Sequence, residues 1–341
     1  MNPPPFLVSF PTIQHFLNAV PEDASELYSD DFQRLCASSL PPVVSIRYLA
    51  TLFGFSVRFT RALYFRSEKY YRIFLIPKGK NSRTIQAPKV ALKVIQKWFG
   101  FHLSEAIKFD DCVYGFIKKR SAIDAASLHC GNNWVYSADI TNFFPSTPHH
   151  LVKSALIKIG YTPHGADLIA KLCCYNGGLA QGSPASPVLS NLVFREVDTE
   201  LMSVAARYGL VFTRYADDLV FSGKGEFPEE LKKIVQTAVE SRGWKLSPTK
   251  ELLSKRPNRL KVHGLLVNGD KPRLTKGYRN KIRAFKYLMA QNAIIPEDIE
   301  RIKGHLSYAH SVDKKYFENV ALESEEEVFR DVLKSELIID E

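Results

Sequence analysis

The hydrophobic positions of this chain change period several times, and each change predicts an element. Tyr71-Arg72-Ile73-Phe74-Leu75-Ile76 and Thr84-Ile85-Gln86-Ala87 read as two strands, and the turn-forming segment from Pro77 to Arg83 between them predicts a hairpin. The spacing from Val90 to Phe101 predicts a helix. Trp134 to Ile140 reads as a strand ending near Asp139. Ser186 can cap a helix with Pro187 at its first position, and Val188, Leu189, Leu192, Val193, Val197, Leu201 and Val204 then recur at helical spacing. Leu210 to Ser222 is apolar on both sides of Tyr215-Ala216-Asp217-Asp218, which predicts a buried hairpin with acids at its tip. Pro228 to Arg242 predicts a helix that stops at Gly243, and Val262 to Val267 a further hairpin. This order predicts an α+β fold, an antiparallel sheet backed by helices, and fits a doubly wound parallel sheet poorly. The segment before about residue 40, marked by proline and locally acidic, reads as a short helical extension.

Composition narrows the class. The chain has 341 residues, 45% of them hydrophobic, enough for two or three subdomains around a continuous core. No apolar run approaches the roughly 20 residues of a membrane helix, so no membrane partner is expected. Residues Met1 to Phe10 lack a basic leader region, and the five cysteines form no CxxC pair; both point to the cytoplasm. The net charge is +10, while residues 321–341 carry eight acids against Arg330 and Lys334. Removing that −6 leaves +16 on the remainder (10 + 6), a surplus suited to a polyanion.

Adjacent aspartates at the tip of an apolar hairpin need a physical reason. Crowded carboxylates repel one another and lose hydration, and a divalent cation with a taste for hard oxygen ligands relieves both problems. A third acid, Asp139, ends a strand that can lie beside Asp217 and Asp218. Three such carboxylates can hold two metals roughly 3.5–4 Å apart. The plainer reading, that Asp-Asp merely makes a turn, is outweighed by the apolar strands on both sides.

At this point the sequence resembles the reverse transcriptases. Tyr215-Ala216-Asp217-Asp218 resembles their Tyr-x-Asp-Asp signature, Ala138 to Ser146 their first palm motif, and Gln181 to Asn191 their Gln-Gly-x-x-x-Ser-Pro motif. The three stand in family order, with 217 − 139 = 78 residues between the outer acids. The resemblance, over roughly residues 70 to 290, implies a right-hand polymerase fold with fingers, palm and a compact helical thumb. The expected boundaries are an N-terminal extension to residue 40, fingers over 41–135, palm over 136–268 with a helical segment at 148–180, and a thumb from 269 with an acidic C-terminal helix. It implies two Mg²⁺ ions on Asp139, Asp217, Asp218 and the Ile140 carbonyl. Phe144 matches the steric gate that would collide with a ribonucleotide 2′-OH; its plainer reading is a core phenylalanine. Gln181 and Gly182 match residues against the incoming dNTP, and Lys78 and Arg83 match cations that clamp its triphosphate or are simply solvated charges on a turn. Lys250 resembles a palm lysine that protonates pyrophosphate, whereas Arg214 suits a salt bridge or a template contact better than catalysis.

From its length the chain is expected to lack an RNase H or integrase domain, and in size it resembles the compact retron reverse transcriptases. Retrons carry Asn-Ala-x-x-His before the first palm motif and Val-Thr-Gly in the later hairpin. This chain has Ala125-Ala126-Ser127-Leu128-His129 and Val262-His263-Gly264, one substitution in each. His129 is therefore either an RNA contact or a satisfied helix histidine. Arg273, Lys276, Arg279, Lys281, Arg283 and Lys286 lie in an acid-free run, with Tyr278, Ile282, Phe285 and Met289 at helical spacing. Such a helix packs one face and offers cations to an RNA or an RNA–DNA hybrid on the other. The retron resemblance implies a cognate noncoding RNA, a branched RNA–DNA product and a role in phage defence. The acidic tail would then dock an effector protein or simply close the thumb. Other readings remain open: another bacterial defence or intron-derived reverse transcriptase, an RNA-directed RNA polymerase, which Phe144 argues against, and a non-catalytic RNA-binding scaffold.

Overall fold

The computed structural model describes residues 3–79, 81–291 and 293–317, so the acidic tail at 321–341 lies outside the described residues. The elements run α1 (Ile13–Ala19), α2 (Glu22–Ala37), α3 (Ile46–Phe53), α4 (Val57–Phe65), β1 (Tyr71–Lys78), β2 (Asn81–Pro88) and α5 (Val90–Ala106). Next come α6 (Ala122–Leu128), β3 (Trp134–Asp139), α7 (His149–Lys158), α8 (Pro163–Cys173), β4 (Cys174–Tyr175) and β5 (Gly178–Leu179). Then follow α9 (Ser186–Arg207), β6 (Val211–Tyr215), β7 (Asp218–Gly223), α10 (Glu230–Glu240) and β8 (Leu252–Lys255). The last are β9 (Lys261–Val262), β10 (Leu265–Leu266), β11 (Arg273–Leu274), α11 (Lys276–Ala290) and α12 (Pro296–Phe317). Among the described residues no helix is long and apolar enough to cross a membrane.

The chain divides into two compact units. The first comprises Met1–Arg120, Ser137–Val220 and Pro228–Glu251; the second comprises Ser121–Tyr136, Phe221–Phe227 and the chain from Leu252. A four-stranded sheet has the order β6-β7-β3-β8, and the ribbons β1–β2, β4–β5 and β9–β10–β11 are antiparallel. The expected α+β class with antiparallel pairing is what the fold contains.

Within the first unit a single hydrophobic cluster runs from Phe16 through Leu49, Phe99 and Leu168 to Leu192. Phe16 stacks on Phe32 with ring centroids 4.5 Å apart, and both rings meet Tyr48. The segment expected as an extension before residue 40 is therefore part of this core. Its acidic outer face masked two fully buried phenylalanines. Local chemistry sets the helix ends: Ser45 and Ser56 accept from the backbone N–H groups of Tyr48 and Phe59, and Gly54 closes α3 in the left-handed region at φ 64°.

The start of α9 differs from the expected cap. Ser186 is the first helical residue, and Ala185 precedes it without a side-chain cap. Ser186 Oγ instead donates to the Ala180 carbonyl at 2.7 Å, fastening the helix to the strand end before it. Pro187 still stands at the helix start, where its missing N–H costs nothing.

In the second unit, Ser121 and Asp124 form a reciprocal capping box at the start of α6, and Thr275 caps α11 through the Tyr278 N–H. Trp134 and Tyr136 pack on Phe227 at 4.9 and 5.7 Å between centroids.

Candidate active site

The hairpin β6–β7 turns through Ala216 and Asp217, with Ala216 at φ 56°, a conformation unusual for a residue with a Cβ. Two supports hold it there. Arg214, three residues before Asp217, is fully buried and forks onto Asp198 of α9, Nε to Oδ1 and Nη2 to Oδ2, both at 2.6 Å. Its Nη1 donates to Asn191 Oδ1 at 2.9 Å and to the Ala216 carbonyl at 3.1 Å, and the guanidinium lies 4.9 Å from the Phe194 ring centre. Burial holds the Asp198 carboxyl above its ordinary range, with the Arg214 charge pulling it back. The second support is Gly115: a Cβ there would stand 2.2 Å from the Ala216 nitrogen, so the turn rests directly on glycine backbone.

Asp139 ends β3 next to this turn, buried, and the Ile140 N–H donates to the Asp217 carbonyl at 2.9 Å. The Ser247 N–H donates to the Asp139 carbonyl at 2.8 Å. Lys250 reaches both Asp139 carboxylate oxygens from Nζ at 2.6 Å. Burial, followed by the negative charges of Asp139 and Asp218, raises the Asp217 carboxyl above its ordinary range, while Lys250 pulls it back.

Among the described residues no three acidic, histidine or cysteine side chains converge as a ready-made metal cage. The ammonium of Lys250 is the cation that Asp139 has in this arrangement. The donor set still fits a divalent ion. The oxygens are hard, and Asp139 and Asp218 lie near enough for their negative charges to add to the rise that burial causes at Asp217.

These residues open onto a cleft of about 560 Å³ within the first unit. Its walls include Arg83, Gln86, Phe116, Asp139, Ile140, Phe144, Gln181, Asp217, Ser247 and Lys250. Phe144 is half-buried, and its ring faces Phe116 at 5.9 Å between centroids. Gln181 lines the cleft and is clasped to β2: the Gln86 N–H donates to the Gln181 carbonyl at 2.9 Å, and the Gln181 N–H donates to Gln86 Oε1 at 2.6 Å. Gly182 was expected to make room for a nucleotide. Here its missing side chain admits the Gln86 carbonyl, which a Cβ would meet at 2.8 Å, with φ at 139°. Arg83 reaches the cleft wall from β2; Lys78 ends β1 opposite Asn81, and its side chain lies outside what the structure describes. Asp218 opens β7, half-buried.

The second unit carries the other expected contacts. His129 is fully buried, with Nδ1 2.7 Å from Ser222 Oγ, and Asn132 Nδ2 donates to the same hydroxyl at 2.7 Å. Burial, then the neighbouring His263, pushes its pKa down to about 3. An RNA-contact role for His129 is corrected accordingly: the ring is a neutral core group with no surface to offer a phosphate. Arg273, Lys276, Arg279, Lys281, Arg283 and Lys286 are all exposed, while Ile282 and Phe285 are buried, as the helical spacing implies. Lys281 Nζ sits 3.0 Å from His305 Nε2 of α12, whose Nδ1 is 2.8 Å from the Tyr278 hydroxyl.

Sequence reading gave no role to Asp198, Asn191, Gly115 or Ser247. A signal existed for the first two. Asn191, Phe194 and Asp198 recur at i, i+3 and i+7, one helical face, and all three meet Arg214.

A sequence profile of the family described as reverse transcriptase (RNA-dependent DNA polymerase) matches residues 76–288. The retron Ec86 reverse transcriptase of Escherichia coli is 30% identical over 292 residues, covering 83% of this chain and 89% of that protein. The retron Mx162 reverse transcriptase of Myxococcus xanthus is 30% identical over 322 residues, covering 82% of this chain and 66% of that protein. A solved telomerase from Candida albicans, in complex with a fragment of telomeric RNA, is a looser likeness: TM-score 0.42 and 12% identity, over 65% of this chain and 50% of that one. The chain belongs to the retron reverse transcriptases, a branch of the RNA-directed DNA polymerases.

Proposed function

We propose that this enzyme copies part of a cognate noncoding RNA into DNA, priming from a guanosine 2′-OH of that RNA and leaving a branched RNA–DNA molecule. The product would serve phage defence with an effector protein. The observation that carries the chemical part is the gathering of Asp139, Asp217, Phe144, Gln181, Arg83 and Lys250 on one cleft from segments far apart in sequence.

Each side chain then has a role set by its chemistry. The attacking hydroxyl oxygen forms a bond to the α-phosphorus as the bond to pyrophosphate breaks. Asp139, Asp217 and Asp218, with the Ile140 carbonyl, would hold two divalent ions, read as Mg²⁺, and a pair bound there would supply Lewis-acid activation of that hydroxyl and charge neutralisation for the pyrophosphate. Lys250 Nζ carries a proton that it can give to a pyrophosphate oxygen. Arg83, with Lys78, draws in the triphosphate, and the Phe144 ring excludes a 2′-OH. The exposed cations from Arg273 to Lys286 follow the phosphates of RNA or hybrid. In this reading 41–135 act as fingers, 136–268 as palm and the chain from 269 as thumb.

The test is to express the gene with its native flanking DNA and sequence the nucleic acid that copurifies. A discrete DNA covalently joined to RNA, absent from Asp217→Asn, is the expected result. Dependence of dNTP incorporation on Mg²⁺ with no such joined species would keep the polymerase and discard the branched product.

A further inference from the structure

Four arginines of the first unit besides the buried one are paired with acids. Arg34, Arg47, Arg120 and Arg242 each meet an acid, as buried Arg214 does. Arg72, Arg83, Arg195 and Arg207 meet no acid among the described residues, and helix α4 gathers three more such arginines in one short stretch. Arg58 and Arg61 are exposed on it, Arg66 follows its last residue, and none of the three has an acidic partner among the described residues.

The same face carries an aromatic ring. Phe65 is 68% exposed, whereas Leu63 and Thr60 on the opposite face are fully buried. Positions 58, 61 and 65 stand at i, i+3 and i+7, so the two guanidinium groups and the ring share one stripe, about 10 Å long at 1.5 Å per residue. The Phe65 ring meets the Tyr64 ring at 4.7 Å between centroids, and Lys171 of α8 lies 4.5 Å over the Tyr64 ring. Asp167, the acid beside that step, is bound by Lys153 at 3.2 Å and Lys171 at 3.5 Å, so two cations outweigh it. Between Val57 and Arg72 the one acid is Glu68, against Arg58, Arg61, Arg66, Lys69 and Arg72.

A solvated basic face would not need an exposed ring, and an apolar docking face would not need unpaired arginines. Single-stranded RNA needs both, because its bases stack on aromatic rings while its phosphates take guanidinium groups. None of these residues lines the catalytic cleft. We propose that the α4 face, through Arg58, Arg61 and Phe65, is a second RNA-docking surface that grips a single-stranded stretch of the RNA outside the cleft. The proposal rests on the reading of this chain as an enzyme that works on RNA, and adds to it the place where RNA beyond the copied stretch is held.

The probe is a labelled RNA hairpin with a single-stranded overhang, titrated against the full chain by fluorescence anisotropy at several salt concentrations. Primer extension on poly(rA)–oligo(dT) at saturating template runs in parallel. Arg58→Gln with Arg61→Gln should weaken RNA binding about tenfold or more and lower the salt slope by roughly one to two. Phe65→Ala should weaken binding about 5- to 100-fold with little change in salt slope. Extension at saturating template and the melting temperature should stay as in the unsubstituted protein. Unchanged RNA affinity in both variants overturns the proposal. So does unchanged RNA affinity with lost binding to vesicles containing phosphatidylserine, which would assign the face to a membrane surface. Failure of the unsubstituted protein to extend any primer would instead sink the polymerase reading, and the affinity losses would still speak for the face.

Discussion

Arg214 and Asp217 lie three residues apart on one hairpin and handle charge in opposite ways. Arg214 is sealed from water, and its donors find Asp198, Asn191 and the Ala216 carbonyl. Asp217 is held above the ordinary carboxyl range first by burial and then by the charges of Asp139 and Asp218, with Lys250 pulling it back. A buried charge tied by four hydrogen bonds fixes geometry, whereas carboxylates crowded beside one another can recruit a cation. The fixed side aims the reactive side, because the guanidinium holds the carbonyl of the very turn that presents Asp217.

The sharpest way to break this comparison is to neutralise each side in turn. Asp217→Asn should lower polymerisation by roughly a thousandfold, since a metal supplies several kcal/mol of charge stabilisation. RNA affinity and folding should hold, and undiminished synthesis on a primed RNA template would remove the metal role. Arg214→Ala should instead cost about 3–5 kcal/mol in urea unfolding, because Asp198 is left charged in the core. Arg214→Met with Asp198→Leu should recover much of that stability, yet leave the turn unaimed and the enzyme slow. If the double variant is fully active, the pair is merely structural.

Smaller effects sharpen the same contrast. Gly115→Ala sets a Cβ against the backbone of the turn and forces it off its seat, so a displacement of about 1 Å should reduce the rate by about a hundredfold, with a loss of stability beside it. A rate unchanged in Gly115→Ala would mean that the turn tolerates displacement. Phe144→Val should lower the preference for dNTP over NTP by about tenfold or more, read from paired incorporation rates. The smallest effect is the pH dependence of stability without metal. Asp217 has a raised folded pKa, so its charge destabilises the fold above that pKa, and the penalty is relieved as the pH falls through it. His129 gives the opposite slope. With a folded pKa of about 3 it loses stability as the pH drops below about 6.5, where the unfolded histidine takes up a proton. Unfolding curves of Asp217→Asn and His129→Asn against pH should each lose one of the two slopes.

Much of this was legible along the chain. The apolar runs flanking Asp217-Asp218, the strand ending at Asp139 and the amphipathic helix from Lys276 follow from period alone, because each is a local pattern. What escaped were contacts between segments distant in sequence. Ser186 has the chemistry of a cap, but the Ala180 carbonyl was the better partner in the folded chain. The acids of α2 mark its outer face, and hide that Phe32 on its inner face stacks on Phe16. His129 belongs to a motif that suggests RNA, yet the fold seals it beside Ser222. Gly115 owes its identity to backbone a hundred residues later, which no local window contains.

The clasp between Gln86 and Gln181 has a mechanical corollary. Two reciprocal hydrogen bonds and the close approach at Gly182 pin the ribbon β1–β2 at one rung, Ile73↔Gln86, so that rung acts as a fulcrum. Beyond it the ribbon continues to Lys78↔Asn81 as an arm roughly 17 Å long at 3.4 Å per residue. A tilt of only about ten degrees would sweep its tip by about 3 Å, on the scale of a single hydrogen bond. Arg83 rides on that arm while Gln181 stands at its pivot, so a tilt would shift one wall of the cleft against the other.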